Sequence, residues 1–259
     1  MSLFASTAEY YRHYRSGIPA DVAAVLNDAA PAGRPRRLLD VGTGTGLVID
    51  ALLPQFDEVV GVDRDAELLA VADAEFTGAP VRLMNAPAEA FSLEPGWQAH
   101  MVTVCRAFHW FDREAFLARI PSMMVADGTL AVFGDQSIWA GGDEWKDRAR
   151  AVVQEVLGEH RRAGDGTYAR PARTYTEDLA DAGFTGIDER LVPVVRTRTL
   201  DSVIGLLHSM SFASPAVLGD SVERFDRRIA EELTPLVDAE GLLTDHNEFH
   251  IVTGRRPSS

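Results

Sequence analysis

A short apolar run that leads into three closely spaced glycines constrains this chain more than any other feature. Leu38, Leu39 and Val41 have the character of a strand covered on both faces, as in a parallel sheet. Residues 42–46 then read Gly-Thr-Gly-Thr-Gly, which permits a sharp backbone turn and the close approach of a ligand. Apolar spacing suited to a helix resumes over 48–53, so the turn leads onto a helix N-terminus. Free N–H groups there favour a negatively charged or hydroxyl-bearing ligand.

Strand, glycine turn and helix occur together in several nucleotide-binding folds, and the spacing of the glycines separates them. The dinucleotide fingerprint G-x-G-x-x-G needs glycine where this chain has Leu47, with Gly46 one position early. That spacing disfavours a nicotinamide or flavin cofactor. The P-loop needs Gly-Lys-Ser or Gly-Lys-Thr after its glycines, and the only lysine of the chain is Lys146.

The run LLDVGTGTG at 38–46 resembles the first motif of class I S-adenosylmethionine (SAM)-dependent methyltransferases. The resemblance covers residues 38 to about 134. It implies an α/β, Rossmann-like fold whose seven-stranded, mostly parallel sheet has an antiparallel edge strand and a helical lid insertion, and it implies SAM as the cofactor. In this motif it implies cofactor contacts from Asp40, Gly42, Thr43, Gly44 and Gly46.

Length and hydrophobic content favour one methyltransferase domain over the whole chain, 1–259. Its core is expected over about 36–134 and 176–256, and its lid over about 136–175 and 200–240. With 46% hydrophobic residues, a chain of this length can bury a substantial core.

Charge and cysteine content limit the partners and the compartment. A formal charge of −14 disfavours nucleic acid, whose phosphates need a basic surface. The single cysteine, Cys105, cannot form an internal disulfide, which fits a reducing cytoplasm. An apolar signal core and an uncharged apolar run of about 18 residues are both missing, which disfavours secretion and membrane insertion. The expected partner is a small-molecule substrate, and a homodimer is left open.

A second apolar strand is expected over 58–63, and it ends in Asp63. This acid follows the glycine turn by about 20 residues, where α/β nucleotide sites place a carboxylate against ribose hydroxyls. The resemblance implies the same role and adds Arg64 beside it. The alternative is that Asp63 caps the helix expected over 66–74, a role that Asp65 fills equally well.

A third strand is expected over 81–84, followed by the loop 85–91. In the family that this chain resembles, the matching loop holds the adenine. Here Ala86 and Pro87 replace its usual first residues, so the resemblance implies backbone contacts from Ala88, with Glu89 nearby.

A fourth strand is expected over 101–105, and the segment Arg-Ala-Phe-His-Trp-Phe-Asp follows at 106–112. Catalytic groups of open α/β sheets lie at the carboxyl ends of strands. The segment resembles the A-F-H-W-F-D run of a small-molecule subgroup that includes trans-aconitate-type and natural-product methyltransferases. The resemblance implies that His109 is the catalytic base or orients the substrate, that Trp110 lines the substrate site, and that Cys105 borders the cofactor. The alternatives are that His109 only hydrogen-bonds the loop and that Trp110 serves packing.

The N-terminal segment 10–19 contains three tyrosines and two arginines within six residues. In similar methyltransferases such a segment folds over the cofactor, where an arginine meets a carboxylate and an aromatic ring lies near a sulfonium. The resemblance thus implies cofactor contacts from Tyr14 and Arg15 and a substrate contact from Tyr11. An amphipathic helix that packs its rings on the core is the equal alternative.

After a fifth strand at 128–134, the pattern changes to aromatic residues, glycines and amphipathic helices. This region is expected to form the lid, with substrate contacts from Trp139, His208 and Ser211. For His208 the alternative is a satisfied surface histidine. The last two strands are expected near 187–195 and 249–253 and form an antiparallel edge in the family. No metal site is expected, because the remaining histidines lack metal-ligand spacing with Asp or Cys.

These patterns together predict SAM-dependent methyl transfer to an oxygen or nitrogen nucleophile of a small molecule, in specialised metabolism such as natural-product biosynthesis. One alternative is a SAM-binding cyclase or decarboxylase on the same fold. A further alternative is an NAD-dependent oxidoreductase, against which the displaced glycine counts.

Overall fold

The computed structural model of the chain describes residues 10, 13–136, 138–158, 162–163, 166–167, 173–210 and 212–257. The chain divides into two compact units. The first, here called the sheet unit, comprises Gly17–Asp135, Pro171–Val192 and Phe249–Ser259. The second, here called the helical unit, comprises Met1–Ser16, Gln136–Arg170 and Pro193–Glu248. The single domain with the lid bounds given above stays a prediction.

Strands and helices alternate through the first half of the chain. The described strands are β1 (Arg37–Val41), β2 (Glu58–Asp63), β3 (Val81–Asn85), β4 (Ala99–Cys105), β5 (Met124–Asp135), β6 (Arg162–Ala163), β7 (Gly166–Thr167), β8 (Thr185–Arg198) and β9 (Leu243–Arg255). The described α-helices are α1 (Ala20–Ala29), α2 (Leu47–Leu52), α3 (Ala66–Glu75), α4 (Arg113–Arg119), α5 (Glu144–Leu157), α6 (Tyr175–Asp181), α7 (Leu200–His208), α8 (Pro215–Leu218) and α9 (Val222–Leu233).

Seven of these strands form one sheet in the order β3-β2-β1-β4-β5-β9-β8. Neighbours from β3 to β5 run parallel, whereas β9 runs antiparallel to β5. This arrangement confirms the predicted α/β, Rossmann-like sheet with an antiparallel edge. Since β1, β2 and β4 are parallel neighbours, their carboxyl ends and the loops that follow meet at one edge of the sheet.

The central strands are apolar because both of their faces are covered. Leu38, Leu39 and Val41 of β1 are all 0% exposed. They and the interior residues of β2, β4 and β5 belong to the buried core of the sheet unit. This burial explains the continuous apolar runs in the sequence, in place of the alternation typical of a sheet with one wet face.

Two strands begin at least four residues before the start that the sequence predicted. β5 begins at Met124, four residues before the glycine at 128, and β9 begins at Leu243 rather than near 249. The added part of β9 contains Thr244, His246 and Glu248, and burial there is interrupted. An antiparallel strand tolerates such polar positions, so an apolar run alone underestimated its length.

The helical unit has a core of its own. The side chains that fill it come mainly from α5, α7 and α9, and they include Trp145, Val153, Leu207, Phe225 and Leu233. On α9 the buried residues recur at 225, 229 and 233, which is the four-residue spacing of one helix face. No described helix of either unit has both the length and the apolar character needed to cross a membrane.

A buried charge cluster lies beside this helical core. Lys146 is 2% exposed, and its Nζ lies 2.9 Å from Oδ2 of Asp143 and 2.8 Å from Oδ1 of Asp245. Arg198 donates from Nε to Oδ2 of Asp245 at 2.6 Å. Two cations thus face two carboxylates, which is the pairing that makes buried charge tolerable.

Candidate functional site

The glycine turn after β1 is shaped by the chain's own packing. Gly42, Gly44 and Gly46 have φ angles of 76°, 56° and 85°, in the left-handed region that favours glycine. A Cβ atom on Gly42 would lie 2.4 Å from Cβ of Ala107, and one on Gly46 would lie 2.3 Å from Cε2 of Phe76. Side chains at 42 and 46 are therefore excluded by the loop after β4 and by the end of α3, before any ligand is considered.

Asp63 holds this turn from the end of β2. Its Oδ2 accepts a hydrogen bond from the N–H of Gly44 at 2.8 Å, and its Oδ1 accepts one from the N–H of Asp65 at 2.9 Å. Burial raises the pKa of the Asp63 carboxyl, and these two backbone bonds oppose that rise. The N-cap of α3 is Asp65, whose Oδ1 accepts from the N–H groups of Glu67 and Leu68. The alternative that Asp63 caps this helix is therefore wrong.

Asp40 is a fully buried acid at the same edge of the sheet. It pairs in register with Thr103 of β4, whose hydroxyl donates to Oδ1 of Asp40 at 2.7 Å. Burial raises the pKa of Asp40 to about 6, and the hydroxyls of Thr43 and Thr103 offset part of the rise. The Thr43 hydroxyl acts by proximity, because neither it nor Oδ2 of Asp40 has a partner with hydrogen-bond geometry.

The loop after β4 presents two exposed aromatic rings beside the glycine turn. Cys105 ends the strand and is buried, and Phe108 is anchored in the core at 1% exposure. His109 is exposed, Trp110 is 40% exposed, and their ring centroids are 5.0 Å apart. Ala107, which backs Gly42, brings this loop against the glycine turn.

The loop after β3 lies against the same region of the sheet unit. Ala88 is 7% exposed and belongs to the core. Glu89 accepts a hydrogen bond at Oε1 from the N–H of Asp112, at 2.8 Å. Arg64, next to Asp63, is exposed. The adenine contacts implied for 88 and 89 stay predictions, and the structure adds a link from Glu89 to the loop of His109.

The N-terminal residues that are described lie in the helical unit. The ring of Tyr14 fills the space beside Gly205 of α7, where an added Cβ would lie 2.2 Å from Cδ2 of the ring. Nε of Arg15 donates to Oγ of Ser209 at 3.0 Å. Tyr10 stacks on Tyr14 at a centroid distance of 6.0 Å. The rings of Tyr10 and Tyr14 therefore pack within the helical unit, and the cofactor contacts of Tyr14 and Arg15 stay predictions.

The predicted substrate contacts of the lid have partners inside the helical unit. The ring of Trp139 meets that of Phe212 edge-on at 5.6 Å. His208 is 2% exposed, with Nδ1 at 3.0 Å from the carbonyl oxygen of Ala213 and Nε2 at 2.8 Å from Oδ1 of Asp226. The alternative of a surface histidine is thus wrong, since the ring is buried. Tyr11 and Ser211 lie outside the described residues.

Comparisons with known proteins identify methyltransferases as relatives of this chain. A family model described as a methyltransferase domain matches residues 38–128. A probable S-adenosylmethionine-dependent methyltransferase of Saccharomyces cerevisiae is 30% identical over 125 residues, which are 46% of this chain and 43% of that protein. An uncharacterised methyltransferase of Schizosaccharomyces pombe is 23% identical over 94% of this chain and 91% of its own. The chain thus spans less than half of the first relative and most of the second.

Solved structures show the same fold. A protein of Anaeromyxobacter dehalogenans, named as a type II methyltransferase, aligns with a TM-score of 0.64 at 22% identity, over 95% of this chain and all of its own. A precorrin 8W decarboxylase of Methanobacterium thermoautotrophicum aligns with a TM-score of 0.53 at 16% identity, over 94% of each chain. At these identities the alignments establish the fold alone, and the domain match is confined to residues 38–128.

Residues 38–128 match a methyltransferase domain, and the relatives and the fold place this part of the chain with the class I SAM-dependent methyltransferases.

The sheet unit of this methyltransferase carries polar atoms that suit the family's cofactor. Among the described residues of the sheet unit, three buried oxygens have no hydrogen-bond partner, and they are Oδ2 of Asp40 and the Oγ1 atoms of Thr43 and Thr45. All three belong to the glycine turn or the strand that leads into it. Orphaned buried oxygens call for donors from a ligand or from water. SAM offers ammonium and hydroxyl donors, which fit this set together with the carboxylate of Asp63.

Sequence reasoning missed four residues of this region in the methyltransferase, namely Thr45, Arg106, Thr103 and Asp135. A usable signal existed for Thr103, because a hydroxyl inside the apolar strand Met-Val-Thr-Val-Cys needs a buried partner. Placing the carboxyl ends of β1 and β4 side by side would have identified Asp40 as the partner of Thr103. Arg106 and Asp135 gave no such signal, since their contact depends on the backbone turn after β4.

The raised pKa of Asp40 predicts that ionisation of this carboxyl lowers the free energy of unfolding as pH rises, and that Asp40→Asn removes this pH dependence. Between the usual pKa of 3.8 and the folded value of about 6, the folded methyltransferase binds the proton more tightly than the unfolded chain does. Stability from this group is therefore present below pH 3.8 and lost as pH rises through 6, by up to about 3 kcal/mol. Urea unfolding at pH 4 and pH 7 should show wild type losing that much relative to Asp40→Asn. If the difference in free energy of unfolding between the two proteins does not change with pH, the assignment is contradicted. Thr103→Val should move the midpoint of the pH dependence to higher pH, because it removes a hydrogen bond to the carboxylate.

Gly205→Ala tests the seat of the N-terminal segment on α7. The new methyl group would overlap the ring of Tyr14, so we expect the ring and the adjacent Arg15–Ser209 bond to be displaced. Trypsin cleavage after Arg15 should become at least about tenfold faster, because cleavage tracks local opening of the N-terminal segment. Intact-mass spectrometry measures the rate. Gly142→Ala is the matched control, since a Cβ there meets nothing within 4 Å. Equal rates for Gly205→Ala and wild type would show that the seat does not hold the segment.

Proposed function

We propose that this methyltransferase transfers the methyl group of SAM to an oxygen or nitrogen of a small molecule in specialised metabolism. The observation that carries the proposal is the exposed pair His109 and Trp110, on a loop that packs beside a glycine turn with the buried Asp40 and the partly buried Asp63 next to it. An exposed imidazole at the carboxyl end of a central strand stands where α/β enzymes perform their chemistry.

Two acids are proposed to hold the cofactor. When bound, SAM supplies a sulfonium methyl group that is already a good electrophile. Asp63 is proposed to accept from the ribose hydroxyls, and Asp40 with the hydroxyls of Thr43 and Thr45 is proposed to meet polar donors near the glycine turn. Because each oxygen of Asp63 already accepts one backbone N–H, the carboxylate is fixed in direction before any ligand arrives.

His109 is proposed to accept a proton from the substrate. An alcohol or phenol would lose its proton to a ring nitrogen of His109 as its oxygen bonds to the methyl carbon and the bond between that carbon and sulfur breaks, which leaves S-adenosylhomocysteine. An imidazole with an ordinary pKa of about 6.5 suits this transfer near neutrality. For an amine acceptor the lone pair attacks before the proton leaves, and His109 then orients the substrate. Holding the two reactants in line supplies roughly 7–11 kcal/mol of the barrier, so positioning is the main task of the chain.

The other predicted site residues are proposed to lie next to the cofactor or the substrate. Tyr14, Arg15, Arg64, Ala88, Glu89 and Cys105 are kept as cofactor neighbours, and Trp110, Trp139 and His208 as substrate neighbours. The acidic charge of −14 supports a small-molecule acceptor over nucleic acid. A cytoplasmic setting rests on the single cysteine, and a homodimer is left to measurement of the mass in solution.

A direct assay separates this function from a cyclase or decarboxylase on the same fold. The protein is incubated with SAM and a panel of phenols, carboxylic acids and amines, and both products are followed by mass spectrometry. Methyl transfer yields S-adenosylhomocysteine and an acceptor heavier by one methyl group, in equal amounts. A product formed without S-adenosylhomocysteine would favour the alternative. Thermal stabilisation by NAD and not by SAM would favour an oxidoreductase.

Asp63→Ala should weaken SAM binding by roughly 10- to 150-fold, because a hydrogen bond to a charged group contributes about 1.5–3 kcal/mol. Titration calorimetry with SAM measures the change, and Asp63→Asn should be milder because one acceptor oxygen remains. Asp57→Ala is the control, since Asp57 holds Arg36 at the opposite end of the strands. Unchanged affinity in a folded Asp63→Ala variant would remove this residue from the cofactor site.

His109→Ala should lower kcat by at least about 100-fold on a hydroxyl acceptor, because general-base assistance is typically worth about 10²–10⁴ in rate. Affinity for SAM should stay within a few-fold, since the side chain acts on the acceptor. His250→Ala is the control, because His250 is a half-exposed histidine of the same unit that pairs with Glu189. A folded His109→Ala variant that keeps kcat within about threefold, with chemistry rate-limiting, would leave His109 only a loop-bonding role.

A further inference from the structure

The turn that carries His109 begins at a strained residue. Arg106 has a φ of 56°, and among the described residues it is the one non-glycine residue with a positive φ. This left-handed conformation is unfavourable for a residue with a Cβ and persists only where surrounding contacts hold it. Such outliers cluster at functional sites, and Arg106 stands directly after the last residue of β4.

Contacts with three described residues hold Arg106 in this conformation. Its N–H donates to the carbonyl oxygen of Phe133 at 2.9 Å. Its Nε donates to Oδ1 of Asp135 in an ion pair whose side chains are 11% and 12% exposed. Its guanidinium carbon lies 5.5 Å from the ring centroid of Phe249. The arginine is therefore tied to the carboxyl end of β5 and to its antiparallel partner β9.

The neighbouring strand leaves room for this side chain. A Cβ on Gly134 of β5 would lie 3.3 Å from Cγ of Arg106, closer than most real contacts. The absence of a side chain at 134 thus lets the arginine stem pass over β5 toward Asp135.

The other end of the same turn is held by Glu89. Its carboxylate accepts the N–H of Asp112, and Asp112 in turn caps α4 by accepting the N–H of Ala115 at 3.0 Å. Between the two ends Phe108 is locked in the core, with edge-on contacts to Phe116 at 6.1 Å and other rings. Only His109 and Trp110 project outward from a segment that is fixed on both sides.

We propose that Arg106 is a positioning residue, which uses its left-handed backbone and its ion pair with Asp135 to aim His109 and Trp110 at the methyl acceptor, with Glu89 fixing the far end of the turn. The inference rests on the proposed role of His109. A merely structural ion pair would support the fold without setting the direction of these two rings, and the two roles differ in what a substitution changes.

Arg106→Gly is the main test, because glycine adopts the same φ without strain while the clamp is lost. We expect kcat on an identified hydroxyl acceptor to fall roughly 10- to 100-fold, as small misplacements of reacting groups do. The KM for SAM should stay within about threefold. Glu89→Ala should lower kcat in the same direction, because the N–H of Asp112 loses its acceptor.

A spectroscopic measurement reads the turn without needing an acceptor. The imidazole signal of His109 in a ¹H–¹³C spectrum is assigned by its loss in His109→Ala. It should shift or broaden in Arg106→Gly and in Glu89→Ala. Arg37→Ala is the matched control, because it removes an ion pair with Glu58 at the opposite end of the strands and should leave the signal and kcat unchanged.

The outcomes separate the two proposals. A shifted His109 signal with lowered kcat and preserved KM supports the positioning role. An unchanged signal in a folded Arg106→Gly variant overturns it, whatever the activity. A shifted signal with unchanged kcat also overturns it, provided that His109→Ala remains inactive. If His109→Ala retains activity, the proposed function of His109 fails, and the signal alone decides whether Arg106 sets the turn.

Discussion

Close packing at the glycine turn is the constraint on which the rest of the site depends. Gly42 touches Ala107 of the loop after β4, and Gly46 touches Phe76 at the end of α3, with no room for a Cβ in either place. The N–H groups of Gly42 and Thr43 are also bound by the carbonyl oxygen of Val62 in β2. Three loops are thereby brought together before any side chain meets a ligand. The placement of Asp40, Asp63 and His109 follows from this contact.

The sequence predicted the parts of the site that arise from local patterns. Runs such as 38–41 and 58–63 are apolar because both faces are covered, so strands and their carboxyl ends could be located by reading alone. The acid at the end of β2 and the N-cap at Asp65 follow from short-range rules. The hydrogen bond that the N–H of Gly44 donates to Asp63 links the glycine turn to the end of β2, and the sequence did not predict it.

Contacts between distant residues could not be read from the sequence. The hydrogen bond that Asp112 donates to Glu89 and the one that Thr103 donates to Asp40 depend on strand order and register, which single-sequence periodicity does not specify. The contact of Tyr14 with Gly205 joins two segments of the helical unit that are far apart in the sequence, and an isolated glycine in a helical pattern does not indicate what it touches. His208 appeared polar and exposed for the same reason, because its partner Asp226 lies on another helix.

Burial of Lys146 gives this chain an unexpected chemical property. The chain's single lysine carries its ammonium at 2% exposure, held by Asp143, Asp245 and the carbonyl oxygen of His246. Reagents that acylate side-chain amines reach it only when the helical unit opens, since a paired and desolvated ammonium is neither accessible nor nucleophilic. The rate of acylation at this one position is therefore a gauge of local unfolding, in the way that amide exchange is for the backbone. A ligand that suppresses opening of the helical unit would therefore slow the acylation of Lys146, and no label has to be introduced to measure this.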